Sequence, residues 1–147
     1  VLNQGTGFLF PTDSTTLTIP STASRAISVG AYNALTFSYA DFSGRGYTRE
    51  QQLVKPDIVA PGVSVTSVMV GGGYGQFTGT SFATPFVTGG AALLMEWGII
   101  RGNDNYLYGE KVKAYLSRDS PSIPILRWDM GRSALEIACQ FKELFSA

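Results

Sequence analysis

The chain contains no histidine, so it lacks the usual base for a serine or cysteine nucleophile. It has one cysteine, Cys139, which excludes an intrachain disulfide. With no histidine to activate it, that thiol reads as core filler. Net charge is absent too: 11 Lys and Arg balance 11 Asp and Glu. A neutral chain without a Lys/Arg run excludes nucleic acid and an anionic membrane as main partner. Unbroken apolar runs are short. The longest, around Gly89–Met95, is interrupted by glycine and ends at Glu96, short of the roughly 20 residues that span a bilayer. The chain opens on Val1 with neither Met nor a signal-like charged region, and is expected to be an internal fragment of a longer protein. Its compartment is not written in it.

What is present suffices for one domain: 147 residues, 44% of them hydrophobic. Residues 1–18 are loop-like, with Gly5, Gly7, Pro11 and a Ser/Thr cluster. Ala26–Ala31 and Asp57–Ala60 are short apolar runs between turn residues, which predicts buried strands. Phe37–Arg45 alternates and breaks at Gly44 and Gly46; residues 47–54 are polar and expected to be exposed. Val63–Val70 alternates with β-branched residues, predicting another strand, and Gly71–Gly75 a flexible loop. Residues 82–98 form an apolar helix with hardly a polar face, the pattern of a helix buried in a larger body. Gly89, Gly90, Ala91 and Ala92 would let it approach a sheet closely. Helical spacing recurs over 108–116, broken by Pro121 and Pro124, and over the amphipathic stretch 133–145. Strands alternating with helices imply an α/β protein with a mainly parallel sheet.

The most informative stretch is Gly79-Thr80-Ser81-Phe82-Ala83-Thr84-Pro85. A turn of small residues presents one serine, and the apolar run Phe86–Trp97 follows. This puts a hydroxyl at a helix N-terminus, where unpaired N–H groups and the helix dipole favour developing negative charge. That suits a nucleophile whose transition state carries an oxyanion. Ser81 is equally a residue type that caps helices. If it caps this one, Pro85 falls where an N–H has no intrahelical partner. The glycines at 71–75 lack the Lys-Ser/Thr of a phosphate cradle. Asp57 is tempting as an acid or metal ligand, but beside Lys55 and with no acidic cluster near it a structural role fits better.

Gly79–Pro85 resembles the Gly-Thr-Ser-x-Ala-x-Pro nucleophile segment of the subtilisin-like serine proteases, the subtilases. Three more ordered blocks agree: Ile27–Ala31 with Phe42–Gly46, Lys55–Gly62, and Pro85–Leu94. Coverage is good from Ile19 to Ser117, and residues 97–116 look most like a clostridial branch that includes spore-germination proteases. The resemblance implies the C-terminal half of a three-layer αβα subtilisin-like fold, residues 1–147 being the C-terminal portion of a catalytic domain. It implies a serine endopeptidase with Ser81 as nucleophile. In this family the triad runs Asp, His, Ser, which puts Asp, His and the oxyanion Asn on an upstream half of the same precursor; Asn3 lacks the context of that Asn. Gly79 and Thr80 would support the site, Thr80 either buttressing the oxyanion hole or merely shaping the turn. Phe77 and Tyr74 would meet a protein or peptide substrate, Phe77 on the leaving-group side or simply as packing. Phe86 stands where many members carry a non-catalytic histidine. Gly131 loosely matches the turn before the last helix. Pro20 is expected to follow a cis bond near the cleft. The chemistry needs no cofactor; a structural calcium ion is left open, and this sequence offers it no support. The rival readings are a pseudoprotease or binding module on the same fold, and a sedolisin-like serine-carboxyl peptidase. The upstream half is the expected partner.

Overall fold

The computed structural model describes residues 7, 9–10, 15–50, 52–117, 119–120 and 123–124. The predicted helix at 133–145, Cys139, Gly131 and Asn3 lie outside them. In chain order the elements are β1 (Val29–Asn33), β2 (Ser38–Tyr39), β3 (Gly46–Tyr47), β4 (Val54–Lys55), β5 (Ile58–Pro61), β6 (Val65–Val68) and β7 (Tyr74–Phe77). Then come α1 (Thr80–Met95), a π-helical turn (Glu96–Ile100), α2 (Glu110–Ser117), β8 (Asp119–Ser120) and β9 (Ile123–Pro124).

The strand expected at Ala26–Ala31 starts only at Val29 and runs to Asn33, 26–28 being irregular; it pairs in parallel with β5, Val29 opposite Ile58 through Tyr32 opposite Pro61. Proline fixes the ends of β5: Pro56 precedes it, joined to Lys55 by a cis bond, and Pro61 closes it. β2 adds to β1 antiparallel, while β3–β4 and β6–β7 form separate antiparallel ribbons. Strand β7 corrects the expected loop at 71–75. Only Gly71, Gly72 and Gly73, at φ of 86°, 99° and 84°, make the turn, and Tyr74 and Gly75 belong to the ladder. The reading missed them because Gly75 interrupts the β-branched pattern.

Helix α1 lies on β1 and β5 across a core of small side chains, Ala31, Ala40, Ala60 and Ala83, flanked by Val29, Val63 and Val87. The close approach is made by Ala83 and not by Gly89 and Gly90, beside which a methyl group would meet nothing within 4 Å. Residues 83, 87 and 91, four apart, form the inward face, so the glycines point elsewhere. A second cluster, Leu94, Leu107, Val112 and Leu116, packs the end of α1 on α2. The opposite face of α1 is uncovered, with Phe86 48% and Leu93 49% exposed, where the sequence predicts burial on every side.

Residues Thr80–Ile100 make 21 continuous helical residues, long and apolar enough by length and composition to cross a bilayer. This corrects the expectation that no segment approaches that length. Counting unbroken apolar residues overlooks that a helix runs on through Thr, Gly and Glu96. One face of this helix is nonetheless committed to the sheet and to α2.

Gly62, after β5, has no room for a side chain: a methyl group would lie 2.5 Å from Ala31 Cβ and 3.1 Å from the Gly79 carbonyl. Gly62→Ala is expected to cost about 1–3 kcal/mol by urea unfolding, the usual range for overpacking. The loop before α2 carries a second test. Asp104 accepts a 2.5 Å bond from Lys111 Nζ. That bond, with the Tyr106 N–H, holds the Asp104 carboxyl below its ordinary 3.8, and Asp104 in turn raises Lys111 above 10.5. The Asp104 contribution is therefore complete above pH 3.8 and lost as pH falls through the lowered value; that of Lys111 is complete below 10.5 and lost as pH rises through the raised one. Asp104→Asn should flatten both limbs relative to wild type in unfolding curves taken across pH.

Candidate functional site

Ser81 is the second residue of α1 and is exposed. The cap is Gly79, at φ 157° and ψ 158°, and no side chain among the described residues caps the helix. The reading of Ser81 as the cap is thus corrected, and with it the account of Pro85. Pro85 lies inside α1, where its missing N–H leaves the Ser81 carbonyl without the usual i+4 donor. The turn is fixed from both sides: the Gly79 N–H donates to the Gly62 carbonyl at 2.8 Å, and the Phe82 N–H to the Gly79 carbonyl at 3.0 Å. Thr84 and Thr88 turn their hydroxyls back onto the carbonyls of Thr80 and Thr84, at 3.0 and 3.1 Å. The result is an exposed hydroxyl beside first-turn amides, on a turn tied to the end of a buried strand.

The structure brings some predicted site residues together and separates others. Phe77 stacks on Phe82, the neighbour of Ser81, with ring centroids 5.0 Å apart and planes at 16°. Thr80 lines a cleft of about 530 Å³ together with Thr84, Pro20, Ser21, Ser28 and Phe42. The Ile19–Pro20 bond is cis, as the resemblance predicts. Tyr74 pairs with Val68 at the far end of the hairpin, three residues along β7 from Phe77 and 75% exposed. That is about 10 Å of strand from Phe77, so Tyr74 is not grouped with Ser81.

Asp57 takes the structural role. Its Oδ2 accepts from Lys55 Nζ at 2.6 Å and from the Ser28 N–H at 2.7 Å, and its Oδ1 lies 3.2 Å from Lys113 Nζ. The Lys55 side chain is 1% exposed. Burial pushes its ammonium below the ordinary 10.5; the hydrogen bond to Asp57 opposes this and neighbouring Lys113 adds to it. Lys113 was missed because nothing in the sequence links α2 to a turn almost 90 residues earlier. Among the described residues no group of three or more His, Cys, Asp or Glu could hold a metal ion. Removing the carboxylate should be costly, since it leaves a buried ammonium without its counter-ion. Asp57→Ala is expected to lose about 3–5 kcal/mol by chemical denaturation, and Lys55→Met less, because Lys113 still faces Asp57.

With this geometry in hand, the relationships are clear. The model of the subtilase family, peptidase S8, matches residues 3–123, and the chain belongs to that family. Subtilisin amylosacchariticus of Bacillus subtilis subsp. amylosacchariticus is 42% identical over 82 residues, covering 56% of this chain and 19% of its own. The Clostridium perfringens CspB protease superposes with a TM-score of 0.73 at 41% identity, covering 95% of this chain and 31% of the other. The self-cleaved protease domain of PatA superposes at 0.62 with 32% identity, covering 88% and 45%. The expected α/β subtilase fold is therefore the fold this chain has, and the likeness to a clostridial protease agrees with the branch expected. The chain spans about a fifth of the curated relative's length and under a third of the CspB chain.

Proposed function

We propose that this chain carries the nucleophile of a subtilisin-type serine endopeptidase and is the C-terminal portion of its catalytic domain. The observation that carries the reading is Ser81 itself, exposed in the first turn of α1 beside amides that no side chain caps. The Ser81 Oγ attacks the carbonyl carbon of a peptide bond, and its proton passes to a histidine outside this chain, which an aspartate orients. The carbonyl oxygen becomes an oxyanion, held by the Ser81 N–H and by an Asn from the same missing portion. The protonated histidine then gives its proton to the leaving amine, and water hydrolyses the acyl-enzyme by the same steps in reverse. Gly79 keeps the turn open, Thr80 supports it, and the Phe77–Phe82 stack supplies an apolar wall on the leaving-group side. Tyr74 acts only on substrate that extends further along the hairpin. No step requires a cofactor.

The upstream portion of the same precursor has a second task in this reading. It covers the face of α1 that bears Phe86 and Leu93. An apolar interface there supports a partner that stays bound after any cleavage between the two portions.

A fluorophosphonate probe tests the assignment. It should label Ser81 in the full-length protein and fail to label the chain alone. Ser81→Ala should lower kcat/KM on peptide substrates by about 10⁴-fold or more. Rapid labelling of the isolated chain, or peptidase activity that survives Ser81→Ala, would refute the reading. A folded full-length protein with neither label nor activity would make it a pseudoprotease.

A further inference from the structure

Part of the lining of the cleft that Thr80 and Thr84 border comes from a segment with little regular structure. Residues 24–28 precede β1; 24–26 form bends and 27–28 are irregular. Their backbone ties toward β5 are the N–H groups of Asp57, just before it, and Ile58, its first residue, donating to the Ser28 carbonyl at 2.9 and 3.3 Å. Ala26, Ile27, Ser28 and Val29 nevertheless line the cleft, and the Ser28 hydroxyl bonds that of Ser21, which lines it too. Something other than a strand ladder must hold this wall.

Two ammonium groups do so. Lys113 Nζ, reaching in from α2, donates to the Ser24 carbonyl at 2.6 Å and the Ala26 carbonyl at 2.8 Å. Lys55 Nζ, at the end of β4, donates to the same Ala26 carbonyl at 3.0 Å. Both face Asp57, which also takes the Ser28 N–H. Carbonyls from one irregular segment and both oxygens of one carboxylate thus converge on two fixed cations. The Lys113 side chain is 18% exposed and Asp57 11%, so solvent screens their attraction only partly. None of Lys55, Asp57 and Lys113 lines the cleft.

We propose that Lys113 is a positioning residue for substrate binding: from α2, outside the cleft, it holds the segment 24–28, whose Ala26, Ile27 and Ser28 line the cleft that Thr80, the neighbour of Ser81, borders. This rests on the peptidase reading above. Lys55 is tethered by its own strand and holds one carbonyl, Ala26, whereas Lys113 holds two and bridges from a separate helix. Losing Lys113 frees the Ser24 carbonyl and one side of Asp57 together. The wall then drifts while the Gly62–Gly79 tie keeps the nucleophile turn in place.

The test uses the full-length protein with Lys113→Met, Lys113→Gln as a milder variant should the first fail to fold, and Lys113→Arg as rescue. Well below the melting temperature, Met or Gln should raise KM on a peptide substrate about tenfold, in keeping with the cost of small misplacements. The rate at which a small fluorophosphonate labels Ser81 should stay within about twofold, since that reagent needs the nucleophile more than the wall. Arg should restore KM, because a guanidinium supplies the same charge with enough donors for both carbonyls. An unchanged KM with only a lower melting temperature would reduce Lys113 to a structural tie and overturn the proposal. Hydrogen exchange separates this outcome from failure of the peptidase reading, because it needs no activity. The Ser28 amide should exchange at least about tenfold faster in the Met or Gln variant and at the wild-type rate in the Arg variant. Equal exchange in all variants would overturn the proposal whether or not Ser81 is a nucleophile.

Discussion

A lysine ammonium buried beside an aspartate is the constraint around which the described part of the molecule is arranged. Taking the Lys55 charge out of water costs several kcal/mol even after relaxation, unless partners surround it. Its partners come from different places, Asp57 two residues on and the Ala26 carbonyl of the segment before β1, and Lys113 from α2 competes for both acceptors. The site is satisfied only when β5, that segment and α2 are all in position. That gives the charge a specifying role, since apolar contacts alone would tolerate sliding between these elements. No buried side-chain nitrogen or oxygen among the described residues is without a partner, as such an arrangement requires.

The second constraint is the thinness of the layer between sheet and helix. With alanine at 31, 40, 60 and 83, α1 lies close on β1 and β5, and its height above the sheet is set by backbone and methyl groups. Gly62 has no space for a β-carbon, and its carbonyl holds the Gly79 N–H. The turn that presents Ser81 is thus anchored to the end of the buried parallel pair. The short distance between sheet and helix and the Gly62–Gly79 bond together fix where the first turn of α1 begins.

What was legible in the sequence followed periodicity and punctuation. Strand β1 stood out as a short apolar run after a Ser/Thr-rich turn, β5 as one between two prolines, and α1 because an apolar stretch follows a turn of small residues. The α/β class and the site turn came from these signals, and the family from four ordered blocks. What escaped depended on contacts distant in the chain. The Lys113 tie joins residues 87 and 89 apart, and no local pattern encodes it. β7 hid behind a glycine, and the place of Pro85 was misjudged because even an N-cap carbonyl at Ser81 would accept the N–H four residues on; the cap itself is Gly79, at φ 157°.

The position of Pro85 bears on the chemistry. In an uninterrupted helix the Ser81 carbonyl would accept from residue 85, and the first turn would be stiffened through it. Proline removes that bond four residues beyond the serine. If the proposed reading holds, the partial positive charge at the start of α1 lies where negative charge would develop and costs no reorganisation at the moment of reaction. On the proposed reading, two electrostatic tasks fall to two stretches of chain. Charge stabilisation begins in the backbone of this one, fixed by α1 and the Gly62–Gly79 bond. Proton transfer belongs to the other, because this chain has no histidine to perform it. A preorganised anion site gains little without a base to generate the attacking alkoxide, and a base gains little without a fixed nucleophile, since the groups of a triad act as a unit and not additively. On the same reading, the portion that brings the histidine also covers the exposed Phe86 and Leu93 of α1, so covering the helix and assembling the catalytic centre become one event.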